Sequence, residues 1–476
     1  MDGYHAWMLM SASLVLMMTT PALALFYGGM SRSKSVLNMM MMSFGAMGVI
    51  AIVYALWGWS MSYSSGIPDV DGEAGGEVLQ LFADPFNQFG LSDTDPANYV
   101  FVAFQLTFAV ITAALISGAI ADRVKFSSWL VFLPLWVTLS YFPLAHMVWG
   151  GGFLSGVENG LADLFFSGDG GAEVAPVDYA GGTVVHINAG VAGLVLALLI
   201  GKRLGFGKEP MKPHNLPLTM IGAGLLWFGW FGFNVGSIVF ASSDEEEMLA
   251  QFTTETGLVW LNTTLATAAA IIGWLLVEKV RDGKGTSLGA ASGVVAGLVA
   301  ITPACGSLSP VGSMILGVVA GALCALAVGL KYRFGYDDSL DVVGVHLVGG
   351  LVGTVGIGFL ATSGGLLYGD GVKQLVVQVV VALFAMLWSA VATLVVGLLI
   401  KVTMGWRIDE EDEVEGIDFV EHGESGYDLT NRGGGLVNRS GVVAAATAPA
   451  GAPSGATAET AEGSEATTST KEGTMA

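Results

Sequence analysis

The sequence predicts an all-α polytopic membrane protein with eleven transmembrane helices, arranged as two inverted five-helix repeats plus one extra helix. Three observations predict it. Hydrophobic residues make up 53% of the 476 and charged residues 12%, with a mean hydropathy of +0.66. Apolar runs of the ~20 residues needed to cross a bilayer recur almost throughout. Of the sixteen Lys and Arg before Asn431, fifteen fall on one side of the expected membrane.

The first run, 6–27, contains Pro21-Ala-Leu-Ala24, which mimics a signal cleavage site. Its leading segment is acidic, lacks Lys and Arg and stays apolar to Tyr27, so a membrane helix is expected instead. Runs 36–60, 98–120, 127–147 and 179–200 complete the first five, and 217–239, 257–277, 287–303, 311–330 and 342–360 form the second. The eighth is short and ends at Pro303, which cannot continue a helix. Run 375–402 is the eleventh. Because five is odd, the second set is inverted relative to the first, and such repeats place a site near the midplane where they meet. Glycine, 68 residues, far exceeds the usual ~7% and suits helices whose backbones approach closely.

The basic side carries Arg32, Lys34, Arg123, Lys125, Lys202, Arg203, Lys208, Lys212, Lys279, Arg281, Lys284, Lys331, Arg333, Lys401 and Arg407, with Lys373 alone opposite. The positive-inside rule therefore expects the amino terminus outside and the carboxyl terminus in the cytoplasm of a multi-pass protein of the cell membrane. Segments 61–97, 148–178 and 240–256 have no Lys or Arg, and Asp244-Glu245-Glu246-Glu247 reads as solvated loop. A net charge of −21 argues against nucleic-acid partners and suggests a halophile-like solvation of loops and tail. Cys305 and Cys324 lack metal-site spacing. Three regions are expected: 1–402 in the membrane, 403–430 charged and able to dock, and 431–476 low in large apolar residues and disordered.

Two segments place a histidine where an ionisable group is costly. They are Asp178-Tyr-Ala-Gly-Gly-Thr-Val-Val-His186 and Asp341-Val-Val-Gly-Val-His346, each histidine followed by Gly at +4 and +7. They occupy the fifth and tenth runs, equivalent positions in the two repeats, so His186 and His346 are expected to form one site. Burial favours neutral rings, and two adjacent neutral imidazoles can share a proton and leave their outer faces to a small polar solute. Bis-histidine haem ligation stays open at this stage. Asp178 and Asp341 are expected to cap the starts of their helices. Aromatic residues gather near the acidic side: Phe104, Trp149, and Trp230-Phe-Gly-Phe-Asn-Val-Gly-Ser237. They fit an interfacial belt or a vestibule that holds a small cation through ring faces.

Longer motifs narrow these choices. Phe26-Tyr-Gly-Gly-Met30, Ala119-Ile-Ala-Asp-Arg-Val-Lys-Phe126, Leu139-Ser-Tyr-Phe-Pro-Leu-Ala-His-Met-Val-Trp-Gly-Gly-Gly152, the Asp178 segment, Gly229–Ser237 and Val299-Ala-Ile-Thr-Pro-Ala-Cys-Gly306 together resemble the ammonium transporter family (Amt/Mep/Rh). Asp409–Tyr427 resembles the regulatory tail of its Amt branch. The resemblance implies a homotrimer with a path through each protomer, not an enzyme, and without a cofactor. It implies recruitment of ammonium at Phe104, Trp149 and Ser237 with Asp178 shaping that site, a gate of stacked rings at Phe104 and Phe233, and a twin-histidine pore at His186 and His346. It also implies a PII-type regulatory partner at a tail marked by Arg407, Gly423 and Tyr427. Net transport of ammonia plus a proton follows, with an electroneutral ammonia channel or an ammonium sensor as alternatives. Leu347, where the family often has a small residue, and the long acidic loop 64–97 depart from the pattern.

Overall fold

The computed structural model describes residues 2–64 and 80–427. The expected disordered stretch 431–476 and the middle of loop 61–97 lie outside the described residues.

The described chain is helical, with one two-residue hairpin, β1 Ser167–Gly168 against β2 Gly171–Ala172. Ten helices have the length and composition to cross a membrane, and a shorter apolar helix sits between the seventh and the ninth. They are α1 Gly3–Met30, α2 Val36–Tyr63, α3 Pro96–Ile120, α4 Phe126–Trp149, α5 Gly182–Ile200, α6 Leu216–Val235, α7 Glu245–Asp282, α8 Ser287–Ile301, α9 Pro310–Phe334, α10 Val343–Leu360 and α11 Lys373–Thr403. The short tail helices are α12 Glu410–Glu415 and α13 Ile417–His422.

Local chemistry explains the boundaries. Asn215, Thr286 and Ser309 each accept a backbone N–H at the start of α6, α8 and α9. Helix α8 stops before Pro303, which has no N–H to donate. The acidic run expected as loop is instead the start of α7: Asp244 accepts the amides of Glu246 and Glu247, and three glutamates fill the first turn. A carboxylate cap and acidic first turn suit the positive helix end, so the helix extends past the apolar run that was visible.

The helices most buried within the chain are α3, α5, α8 and α10, while α7 and α11 expose long apolar faces such as Ile272, Leu276, Leu387 and Val395. Exposed aliphatic faces on helices of this length belong in hydrocarbon. The site lies among the buried helices.

Candidate functional site

Helices α5 and α10 both begin in π-helical turns, Gly182–Ile187 and Val343–Leu347, and each turn contains its histidine. The wider π turn re-aims side chains, which is why such segments gather at functional positions. A carboxylate eight residues before each histidine fixes the start. Asp178 accepts the amides of Gly181 (2.9 Å), Gly182, Thr183 (2.9 Å) and Val184 (3.2 Å), and the Thr183 hydroxyl. Asp338 accepts those of Val342 (3.0 Å) and Val343 (2.8 Å). Both satisfy free first-turn amides and put negative charge at the positive helix end.

The second cap corrects the sequence expectation. Asp341 does not cap α10; its carboxylate takes Lys331 Nζ at 2.7 Å and its backbone is left-handed, φ 65°. That turn leads the chain into the helix, and Asp338, three residues earlier, reaches the free amides.

The two histidine rings lie 5.4 Å apart between centroids and 22° from parallel, with Nδ1 to Nδ1 at 3.4 Å. For that contact one Nδ1 must carry hydrogen and the other accept it. The two Nε2 atoms are then one donor and one acceptor, facing away from each other. Nε2 of His186 has no protein partner among the described residues. Trp230 stacks on His186 at 5.6 Å and 19°, and is itself held by Trp230 Nε1 donating to Thr302 Oγ1 at 2.8 Å. Close helix approach depends on the shared glycines: a Cβ on Gly190 would lie 2.5 Å from the Leu347 backbone nitrogen, and one on Gly350 3.2 Å from His186 Cβ. Leu347 thus fits because its partner position is glycine.

Toward the acidic loops, aromatic rings lie beyond the histidines. Phe108 and Phe233 stack at 4.0 Å and 10°. This is the stacked pair that was expected of Phe104 and Phe233. Phe104 lies one helical turn away from Phe108 on the same face of α3, its ring 4.7 Å from that of Phe108 and tilted by 60°. A Cβ on Gly236 would touch the Phe104 ring at 2.8 Å, so Phe104 packs behind the pair, beside the segment carrying Ser237. Trp149 meets Phe108 edge to face at 6.0 Å and donates Nε1 to the Asp178 backbone oxygen at 2.8 Å. Ser237 donates to the Phe233 oxygen at 2.8 Å and keeps its lone pairs. Phe104, Trp149, Asp178, Phe233 and Ser237 therefore gather around Phe108, with Asp178 spent on amides and on placing Trp149. Sequence reasoning missed Phe108, Trp230 as ring partner, and Asp338; the four-residue step from Phe104 and the eight-residue step before His346 were the available signals.

Below the stacked rings is a cavity of about 10 Å³ lined by Phe233, Trp230, both histidines and aliphatic side chains including Ile111, Leu115 and Val295. Space on that scale holds one water-sized molecule. A second cavity of about 10 Å³ shares Phe26, Val295 and His346 with it and runs on to Asp341. Neither admits a haem, and the direct Nδ1 contact leaves no place for an iron between the rings. Among the described residues no group of His, Cys, Asp and Glu is arranged to hold a metal.

On the opposite face the tail segment docks. Arg407 pairs with Val124 in an isolated bridge, donates to the Lys202 oxygen at 2.6 Å, and meets Glu413 Oε2 at 2.6 Å. Gly423, φ 68°, ends α13, and Tyr427 hydroxyl lies 2.8 Å from His214 Nε2.

The family model described as "Ammonium Transporter Family" matches residues 6–427. The chain is 50% identical to the ammonium transporter of Mycobacterium tuberculosis strain H37Rv, covering 91% of this chain and 92% of that one. It is 43% identical to the ammonium transporter of Aquifex aeolicus, covering 90% and 94%. Among solved structures, Candida albicans Mep2 superposes with a TM-score of 0.73 at 30% identity over 87% of each chain. A protein titled "Sensor Amt Protein" superposes at 0.74 with 27% identity, over 88% of this chain and 98% of that one.

Proposed function

The chain belongs to the ammonium transporter family, and from that premise we propose how it carries ammonium across the membrane. Ammonium is recruited at the face bearing Trp149, Phe104 and Ser237, where ring faces and a hydroxyl oxygen replace lost water. Cation–π contact returns only ~0.5–2 kcal/mol, while carrying an intact ion through a dry apolar pore costs several kcal/mol or more. The ion is therefore deprotonated at the stacked Phe108 and Phe233 rings. Neutral ammonia moves through the apolar cavity, and the proton follows along the imidazole pair. Water lacks the charge that the vestibule selects, and potassium cannot shed its charge.

The observation that carries this reading is the direct 3.4 Å contact between His186 and His346 in a cavity with room for one water-sized molecule. The amino terminus lies outside and residues 403–430 face the cytoplasm, where a PII-type partner docks on them; 1–402 is the transport unit, and a homotrimer forms.

The test is ammonium-evoked current from reconstituted protein. Wild type gives current, and His186→Ala or His346→Ala abolishes it or makes it unselective; unchanged potassium-excluding current in both variants overturns the relay. The cavity's apolar lining also favours electroneutral ammonia passage, which predicts flux without charge movement in the same recording. Similarity to the protein titled "Sensor Amt Protein" favours a sensing role, which predicts ammonium binding without flux.

A further inference from the structure

A cavity away from the histidine site lies between the docked tail and the loops before α2 and α6. It measures about 550 Å³ and is walled by Arg32, Ser33, Lys34, Lys212, Glu209 and tail residue Glu413, among others. Ligand sites for molecules up to nucleotide size fall in this range of volume. In a chain with 40 acidic and 19 basic residues, three cations converge on one space.

Those cations are under-used. Among the described residues Lys34 donates only to the Val414 backbone oxygen, at 3.2 Å, and Lys212 has no hydrogen-bond or ion-pair partner. Arg32 reaches the Asp122 carboxylate at 3.3 Å, the Asp122 backbone oxygen at 3.4 Å and Glu413 at 3.7 Å, all longer than the ~2.7–2.9 Å of a strong charged hydrogen bond. The acids are less available. Glu413 is fully buried, taking Arg407 at 2.6 Å and the Leu204 amide at 2.7 Å, so its charge is neutralised within the wall. His214 is occupied on both ring nitrogens, by the Ser31 oxygen and the Tyr427 hydroxyl. Glu209 is the one carboxylate of the lining exposed to the space.

We propose that this cavity binds a phosphate-bearing anion no larger than a nucleotide. Arg32, whose Nε and Nη2 are turned to Asp122, supplies a charged donor through Nη1, Lys34 and Lys212 supply point charges, and the Ser33 hydroxyl supplies a neutral donor. Because Glu413 and Val414 form one wall, the site is complete only while the tail is docked, and occupancy stabilises that docked state by mass action.

The probe is inorganic pyrophosphate, titrated against the full chain in phosphatidylcholine nanodiscs, with thermal midpoint and proteolysis of the tail as readouts and potassium chloride at matched ionic strength as control. A saturable rise in midpoint with slower tail cleavage is expected. Lys212→Gln, which breaks no contact within the fold, weakens it about tenfold, as loss of one charge-assisted contact should. A second arm replaces pyrophosphate with phosphatidylglycerol in the nanodisc. A Lys212-dependent effect only there assigns the phosphate to a lipid headgroup, and one with pyrophosphate assigns it to a soluble anion. Absence of a saturable, Lys212-dependent effect in both arms overturns the site. None of these readouts involves transport, so the outcome is independent of the proton-relay reading.

Discussion

Asn38 donates its backbone N–H to the Asp418 carboxylate at 2.8 Å, so the start of α2 is capped by a residue 380 positions further along the chain. The Leu37 amide reaches the same carboxylate at 3.1 Å, while Ser35, at the cap position, supplies no side-chain bond. Glu421 does the same for α4, accepting the Phe126 amide at 3.0 Å. The tail thus serves as the missing cap for two helices. Asp418→Ala should cost about 1 kcal/mol, typical of a lost N-cap, and speed proteolysis between 404 and 427, with Asp418→Asn restoring part of both. A tail cleaved at the wild-type rate in the Ala variant would show that the cap does not hold it.

Arg203 joins two carboxylates on the same face, meeting Asp337 through two nitrogens at 2.9 and 2.8 Å and Asp122 at 2.9 Å. Burial pushes the Asp122 carboxyl up, but Arg203 and Arg32 together outweigh it and hold it below the ordinary value of 3.8. Asp337 is likewise held below 3.8: burial pushes it up, and the Arg203 hydrogen bond and charge more than compensate. Folded-state values below the unfolded ones mean that both groups stabilise the protein above pH of about 4, and that this stability is lost as pH falls through the depressed values. The part of the thermal midpoint that Arg203→Ala removes should therefore be constant from neutrality to about pH 5 and shrink below about pH 4. Arg203→Ala strips Asp337 of its paired guanidinium and leaves Asp122 with Arg32 alone, and should cost about 3–5 kcal/mol. A variant as stable as wild type at neutral pH would refute this account of the cluster.

Much of this was legible in the chain because membrane burial leaves a coarse signal. The eleven apolar runs and the two histidines at matched positions could be read directly, and the long motifs marked the family. What escaped was set by contacts that no period records. Phe104 and Phe108 are both apolar on one face of α3, and only the third dimension shows which ring lies flat on Phe233. Asp338 and Asp341 are both carboxylates near the start of α10, and the left-handed turn at Asp341 decided between them. The polar start of α7 looked like loop because its helix is held by an N-cap, not by apolar spacing.

The paired caps yield a test of how the histidines are aimed. Asp338→Ala frees the amides of Val342 and Val343, loosening the π turn that carries His346. Removing a cap costs ~0.5–2 kcal/mol, small against whole-protein stability, so the variant should fold. Its ammonium-evoked current should fall severalfold, and Asp338→Asn, which keeps an acceptor oxygen, should recover most of it. Equal currents in Asp338→Ala and wild type would mean that the turn is held by packing alone.

The stacked rings allow the sharpest separation of roles. Phe104, Phe108 and Phe233 are all at most 1% exposed, so truncating any of them to Ala should destabilise by about 3–5 kcal/mol. Stability alone therefore cannot show which ring bars the proposed path. Phe108 touches Phe233, Trp149 and Phe104, whereas Phe104 packs toward Gly236. Phe108→Leu keeps most of the apolar volume but removes the flat face, so under the proposed mechanism the dry barrier between vestibule and cavity is breached without emptying the core. In that variant the ammonium-evoked current should lose its discrimination against potassium or fall sharply, while Phe104→Leu should keep wild-type selectivity. If Phe104→Leu is the variant that loses selectivity and Phe108→Leu does not, the ring lying flat on Phe233 is not the barrier, and Phe104 must take its place during transport.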